Sequence, residues 1–243
     1  MAWKTICHSV TGTTHIQNGV PCQDYGASRV LPNGILIAAV ADGAGCAPHA
    51  QEGARLAVEA SLEFCAAECE HGDLKTIFGR LLKHLNATLQ AEAQKQNWAV
   101  DDLASTLLLC IAKPVGFVAM QIGDGFIVLR GPDEECRLLF SPDHGQYVNE
   151  TTFVTSENAR EKMQVRAEPT ALHFLCMGTD GMEKVALSLE TQAPHRPFFH
   201  PLEDFMRNAS AETVSRELER QLNSKALNAR TDDDKTLLVS VRT

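Results

Sequence analysis

The sequence predicts a segregated α+β fold, and three observations lead there. Short apolar runs bounded by Gly, Asp or Pro recur as strands, and three longer segments carry apolar residues at helical spacing. The two kinds of segment are grouped rather than alternating: two helices follow an early strand, then four strands come with little between them. Grouping of this kind excludes a βαβ repeat and places helices on a mostly antiparallel sheet system.

The expected strands are 35–41, 107–112, 117–122, 126–129, 137–140, 172–177 and 237–241. Those joined by Gly-Asp-Gly at 123–125 or Pro-Asp-Glu-Glu at 132–135 read as hairpins. The first helix is marked by Ala54, Val58, Ser61, Leu62 and Cys65. In the second, Leu74, Ile77, Phe78, Leu81, Leu82, Leu85 and Leu89 form a stripe wider than a coiled-coil seam, hence core packing. The third runs over 211–222, with Ser210 as N-cap and Val214, Leu218 and Leu222 four apart. The polar stretch 141–169 is long for a connection and is expected to be a functional loop or flap. A chain of 243 residues with 44% hydrophobic content can bury roughly 70–75% of its unfolded surface. A single domain over 1–243 is expected, without disulfides or structural metal.

Charge and composition remove several function classes. With 22 Lys and Arg against 31 Asp and Glu, the net charge is −9 and the basic residues are scattered. Nucleic-acid binding needs a basic stripe, so no such partner is expected. The longest apolar run, 35–41, is far short of the roughly 20 residues of a spanning helix. The N-terminus lacks the apolar core of a signal peptide. Eight cysteines are spread without any Cys-x-x-Cys pair, and Cys65 with Cys69 gives only two ligands, not a soft-metal site. His71, His84, His195 and His200 show no ligand spacing. A monomer in the cytoplasm, with no membrane partner, is the expectation.

The chemistry lies in the aspartates. Asp42 ends the run 35–41, Asp124 and Asp180 each follow a strand and precede Gly, Asp232–Asp234 precede the last strand, and Asp24 stands in Pro-Cys-Gln-Asp. Taken singly, each motif also reads as a turn, a helix cap or a solvated loop. Taken together, carboxylates gathered at strand ends repel unless a divalent cation lies between them. Oxygen donors without His or Cys select Mg²⁺ or Mn²⁺, and two such ions suit in-line attack on phosphorus.

In order and spacing these motifs resemble the metal-dependent type 2C serine/threonine protein phosphatases, in particular a compact bacterial subset. The likeness runs from about Ile6 to Val241: Cys22-Gln23-Asp24, Val40–Gly45, Ser105–Leu109, Ile122–Gly125, Gly178–Met182 and Asp233–Val239, with the stretch 145–155 also similar. The resemblance implies a four-layer α-β-β-α sandwich with metals at one edge between the sheets. It implies hydrolysis of phosphoserine or phosphothreonine in a phosphoprotein by metal-activated water, in opposition to a serine/threonine kinase. Carried over by residue, Asp42 bridges two Mn²⁺ or Mg²⁺ ions and the Gly43 carbonyl is a further ligand. Asp180 and Asp233 complete the first site, Asp24 holds water near the second, and Asp124 matches the aspartate of a third, weaker ion.

The departures are specific. Gln23 stands where many members have Glu; Gly19 where eukaryotic members have a phosphate-gripping Arg; Ala44 where they have a general-acid His. His15 or Arg29 could then meet the phosphate, and His15 or His49 could supply the proton, though a His chosen in this way is more often a packing or surface residue. Loss at Gly19 and Ala44 also motivates a second reading, a regulatory or binding module of weak or no activity that keeps the fold and metals. Retention of Asp24, Asp42, Asp180 and Asp233 argues for the enzyme. A haloacid-dehalogenase reading of Gly-Thr-Asp-Gly fails, because Gly178 occupies the place of the nucleophilic Asp.

Overall fold

The computed structural model describes residues 2–69, 76–132, 134–140, 151–188 and 191–243. In chain order the elements are β1 (Trp3–Val10), α1 (Thr13–Asn18), β2 (Asp24–Val30), β3 (Leu36–Asp42), α2 (Ala50–Glu68) and α3 (Ile77–Gln96). Then follow β4 (Leu107–Ala112), β5 (Phe117–Ile122), β6 (Phe126–Arg130), β7 (Arg137–Leu138), α4 (Ala159–Lys162) and β8 (Gln164–Glu168). The chain ends with β9 (Phe174–Gly178), α5 (Glu183–Ala186), α6 (Arg196–Asn208), α7 (Ala211–Leu222), α8 (Lys225–Asn228) and β10 (Lys235–Arg242). One five-stranded sheet runs β2-β3-β4-β5-β8 and the other β1-β10-β9-β6-β7. Each neighbouring pair is antiparallel.

Three apolar layers hold four structural layers together. Along β3, Ile37, Ala39 and Ala41 point toward α2 and α3, while Leu36, Ala38 and Val40 point toward the other sheet. β4 divides in the same way: Leu107, Leu109 and Ile111 face the helices, and Leu108, Cys110 and Ala112 the second sheet. A strand buried on both faces must be apolar at every position, and these two were legible as continuous runs for that reason. Beyond the second sheet, Phe126, Val128, Phe174, Cys176, Val239 and Val241 meet α6 and α7. Thus the expected α-β-β-α sandwich is present.

Some connections differ from expectation. The Gly-Asp-Gly at 123–125 is not a hairpin turn: β5 lies in one sheet and β6 in the other, so it carries the chain across the sandwich. The Pro-Asp-Glu-Glu connection does join paired strands, β6 and β7. β1 and β2 were missed because the layer between them is polar. Thr5 Oγ1 is 2.9 Å from Ser28 Oγ and accepts from Ser240 Oγ at 2.8 Å, and Thr236 Oγ1 donates to Ser9 Oγ at 2.7 Å. α6 was missed because it contains Pro197 and Pro201; the first occupies the N-terminal turn, where its absent N–H has no helical partner to lose.

The expected flap is described only in its second part. Residues 141–150 lie outside the described residues, as does Leu74 of the second helical stripe. Residues 151–168, however, are built into the fold. Val154 and Ala159 are buried, the Val154 N–H donates to the Ser105 carbonyl at 2.8 Å, and β8 pairs with β5 as an edge strand.

Candidate active site

Strand register brings the acids together. Asp24 opens β2 and Asp42 ends β3, and the antiparallel register sets them directly opposite each other. Thr106 fixes the end of β3 from both sides: its Oγ1 accepts the Asp42 N–H at 2.9 Å, and its own N–H donates to the Asp42 carbonyl at 2.8 Å. The next residue, Gly43, donates to the Gln23 carbonyl at 3.1 Å and runs close to α2, where a Cβ would stand 2.6 Å from the Ala50 carbonyl oxygen. Only glycine allows that approach.

The second sheet contributes from β9 and β10. Asp180 begins a single 3-10 turn, Asp180–Met182, directly after β9. Before it, the buried Thr179 donates from Oγ1 to Asp24 Oδ2 at 2.7 Å and accepts the Thr236 N–H at 3.1 Å. One hydroxyl therefore ties β9, β10 and the first aspartate together. Asp124 sits between Gly123 (φ +86°) and Gly125 (φ +90°), a left-handed pair that glycine alone adopts readily. Its Oδ2 accepts from Thr151 Oγ1 at 2.9 Å.

Of the run before β10, Asp233 is exposed and lies near Asp180, its Oδ1 accepting the Asp234 N–H at 2.8 Å. Asp234 is the buried one. It accepts the N–H groups of Gly12 and Gln23, each at 2.6 Å, and so anchors the segment that leads through α1 to Asp24. Its Oδ2 is also 3.0 Å from His15 Nδ1, but off the angle of a hydrogen bond. Thus His15 stands beside the acidic edge, whereas His49 is stacked on Trp98 at a centroid distance of 3.6 Å. Arg29 is exposed and paired with Ile37, five residues along β2 from Asp24. That is roughly 16 Å away, which removes it as a phosphate ligand.

The electrostatics are those of crowded acids, Asp24 buried and Asp42, Asp180 and Glu183 half-buried. Burial pushes the Asp42 carboxyl well above the usual carboxylate range, with Asp24, Asp180 and Asp124 adding repulsion. Asp24 is raised to about 7 by burial, opposed by its bond from Thr179 and reinforced by Asp234. Asp180 is raised to about 6 by burial, Asp124 and Asp233. Glu183, which sequence reasoning missed, is raised to about 7 by burial and by Asp180 and Asp124; its Oε1 accepts the Gly125 N–H at 3.0 Å. Its position three residues after Asp180, at the start of α5, was the available signal. The ammonium of buried Lys235 donates to the Asp233 carbonyl at 3.1 Å.

This donor set fits a hard divalent cation. It consists of oxygens, the acids repel one another, and the buried Gln23 Oε1 has no hydrogen-bond partner. Among the described residues no three acidic, imidazole or thiol side chains are arranged to hold an ion as they stand. Asp42 is crowded by Asp24, Asp180 and Asp124, a repulsion that a divalent cation would relieve.

Comparison with known proteins agrees with this architecture. A "Serine/threonine-protein phosphatase 3" of Escherichia coli (strain K12) is 34% identical over 251 residues, covering 99% of each chain. The solved structure of the serine/threonine phosphatase Stp1 from Staphylococcus aureus superposes with a TM-score of 0.68 at 12% identity, covering 100% of this chain and 96% of that one. RsbX, solved in complex with magnesium, gives a TM-score of 0.58 at 14% identity, covering 99% and 96%. The profile described as "Protein phosphatase 2C" matches residues 11–223, and the chain belongs to the protein phosphatase 2C family.

Proposed function

We propose that this chain hydrolyses phosphoserine and phosphothreonine in phosphoproteins, with divalent cations held by its acidic edge. One observation carries the reading: five aspartates from separate strand ends of two sheets meet at one edge, where burial and mutual repulsion hold Asp24, Asp42 and Asp180 above their ordinary values. Asp42, Asp180 and Asp233, with the Gly43 carbonyl, would hold the ions, and Asp124 would serve a weaker additional one. When bound, Mg²⁺ or Mn²⁺ would polarise the phosphoryl group and make water a nucleophile near neutral pH. The magnesium in RsbX, a protein of the same fold, supports an ion of this hard class.

The chain's own groups would then position the reaction. Thr179 fixes the Asp24 carboxylate, which would orient the attacking water. Thr106 holds both the N–H and the carbonyl of Asp42, and Asp234 accepts the Gln23 N–H. A setting inside the cytoplasm, as a monomer opposing a serine/threonine kinase, suits eight free cysteines. Among the described residues no helix is long and apolar enough to cross a membrane.

The test is hydrolysis of para-nitrophenyl phosphate and a phosphothreonine peptide after chelation, with Mn²⁺ or Mg²⁺ restored. Turnover should return with the metal and fall roughly 1,000-fold in Asp42→Asn and Asp180→Asn. A well-folded protein that binds Mn²⁺ without turnover would instead identify a regulatory module.

A further inference from the structure

The two helix layers close differently over their sheets. α2 and α3 pack on their sheet through Ala57, Val58, Cys65, Leu81, Leu85 and Leu89. Between α6, α7 and α8 the other layer leaves a cavity of about 790 Å³. Its walls are Phe198, Leu202 and Phe205 of α6 and Val214, Leu218 and Leu222 of α7; Met182 and Leu237 form its floor. These are the apolar stripes of two amphipathic helices, which ordinarily close on each other. The volume lies within the range of roughly 300–1,000 Å³ typical of small-molecule sites.

The mouth has a definite charge. Arg216 and Arg230 line the cavity and are exposed. Among the described residues neither guanidinium has an ion pair or hydrogen bond. Glu217, on the same rim, is already answered by Arg220 at 2.5 Å. A chain of net charge −9 thus presents two cations without a bonded partner, Arg230 and, beside Glu217, Arg216, at an aromatic-walled cavity.

We propose that this cavity binds one small anionic amphiphile, its alkyl chain between α6 and α7 and its carboxylate against Arg216 and Arg230. A wholly polar ligand would leave the walls wet, and a neutral hydrocarbon would leave the guanidiniums unanswered. A molecule with both parts satisfies both.

The test is calorimetric titration of the full chain with dodecanoate below its micellar concentration, beside dodecyltrimethylammonium of equal chain length. Dodecanoate should bind saturably, one per chain, and the cation at least about tenfold more weakly. Ala226→Trp, which places an indole in the mouth from an exposed position on α8, should weaken dodecanoate at least about tenfold without shifting the thermal melt. The pair Arg216→Glu and Arg230→Glu should do the same. Non-saturable uptake, equal affinity for the cation, or indifference to Ala226→Trp would overturn the proposal. So would binding to anionic phosphatidylglycerol vesicles with none to monomeric dodecanoate, since the patch would then be a membrane surface.

Discussion

Two regions of this molecule bury carboxylates, and they answer the charge in opposite ways. Glu203 on α6 is 8% exposed and lies between two arginines. Arg130 reaches both its oxygens, at 2.5 and 3.1 Å, and Arg207, one turn along, donates to Oε1 at 2.8 and 3.0 Å. Burial pushes this carboxyl up, but the bonds from Arg130 and Arg207 outweigh it, and Glu203 ends below its ordinary value. At the acidic edge the neighbours are other carboxylates, and Asp24, Asp42, Asp180 and Glu183 all end above theirs. A buried acid matched by arginines of its own chain is scaffold. Acids facing one another are a standing cost of the fold that Lys235 offsets only in part, and a cation from outside the chain would offset the rest.

The largest effect expected from this contrast falls on the scaffold side. Glu203→Ala leaves two guanidiniums without their partner and should destabilise by about 3–5 kcal/mol in urea melts, while turnover per folded molecule stays within about twofold. The pH dependence follows from the lowered value. Glu203 contributes stability above its unfolded pKa of about 4.3, and that contribution is lost as pH falls through the lower folded value. A loss under about 1 kcal/mol would mean that the cluster behaves as an exposed surface pair and would break the comparison.

The acidic edge should show the opposite slope. For groups raised to about 6 and about 7, stability is fully present below the unfolded values near 4 and is lost as pH rises through the folded ones. Chelated protein should therefore lose on the order of 1–3 kcal/mol between pH 5.5 and 8, seen as a falling Tm. Saturating Mg²⁺ should flatten or reverse that slope, because the cation favours the ionised acids. A chelated protein equally stable at both pH values would show that these acids are already compensated within the chain.

How much of this was legible in sequence follows the same physics. β4 and β5 could be read residue for residue because both their faces are buried, and α7 because Ser210 caps it, its Oγ accepting the Thr213 N–H at 3.2 Å. β1 and β2 carry a polar interlayer, and β8 is an edge strand whose central residues Val165, Arg166 and Ala167 are exposed, so neither pattern announced a strand. Asp24, Asp42, Asp124 and Asp180 stood out because each adjoins the end of an apolar run or a Cys-Gln step, and the fold brings them to one edge. Thr106, Thr179 and Glu183 did not stand out, and Asp234 stood out only within the run 232–234, with no role of its own. What they do depends on partners 57 to 222 residues away in the chain, and no local spacing records such distances.

Thr179 offers the finest test of how the two regions differ. Its hydroxyl is the chief bond that draws Asp24 back down against burial, and it also satisfies the Thr236 N–H. Thr179→Val keeps the shape and removes both bonds. The buried N–H is left unpaired and the Asp24 carboxyl loses its donor, so stability with metal present should fall by about 1–2 kcal/mol. Metal-dependent turnover should fall by roughly tenfold, because Asp24 is both misoriented and harder to ionise. Thr179→Ser, which restores the oxygen but not the methyl, should recover most of the turnover and less of the stability. If Val keeps wild-type turnover and Ser does not, the methyl group is what matters at this position. Asp24 would then be held by its strand register with Asp42, not by the hydroxyl that bridges the two sheets.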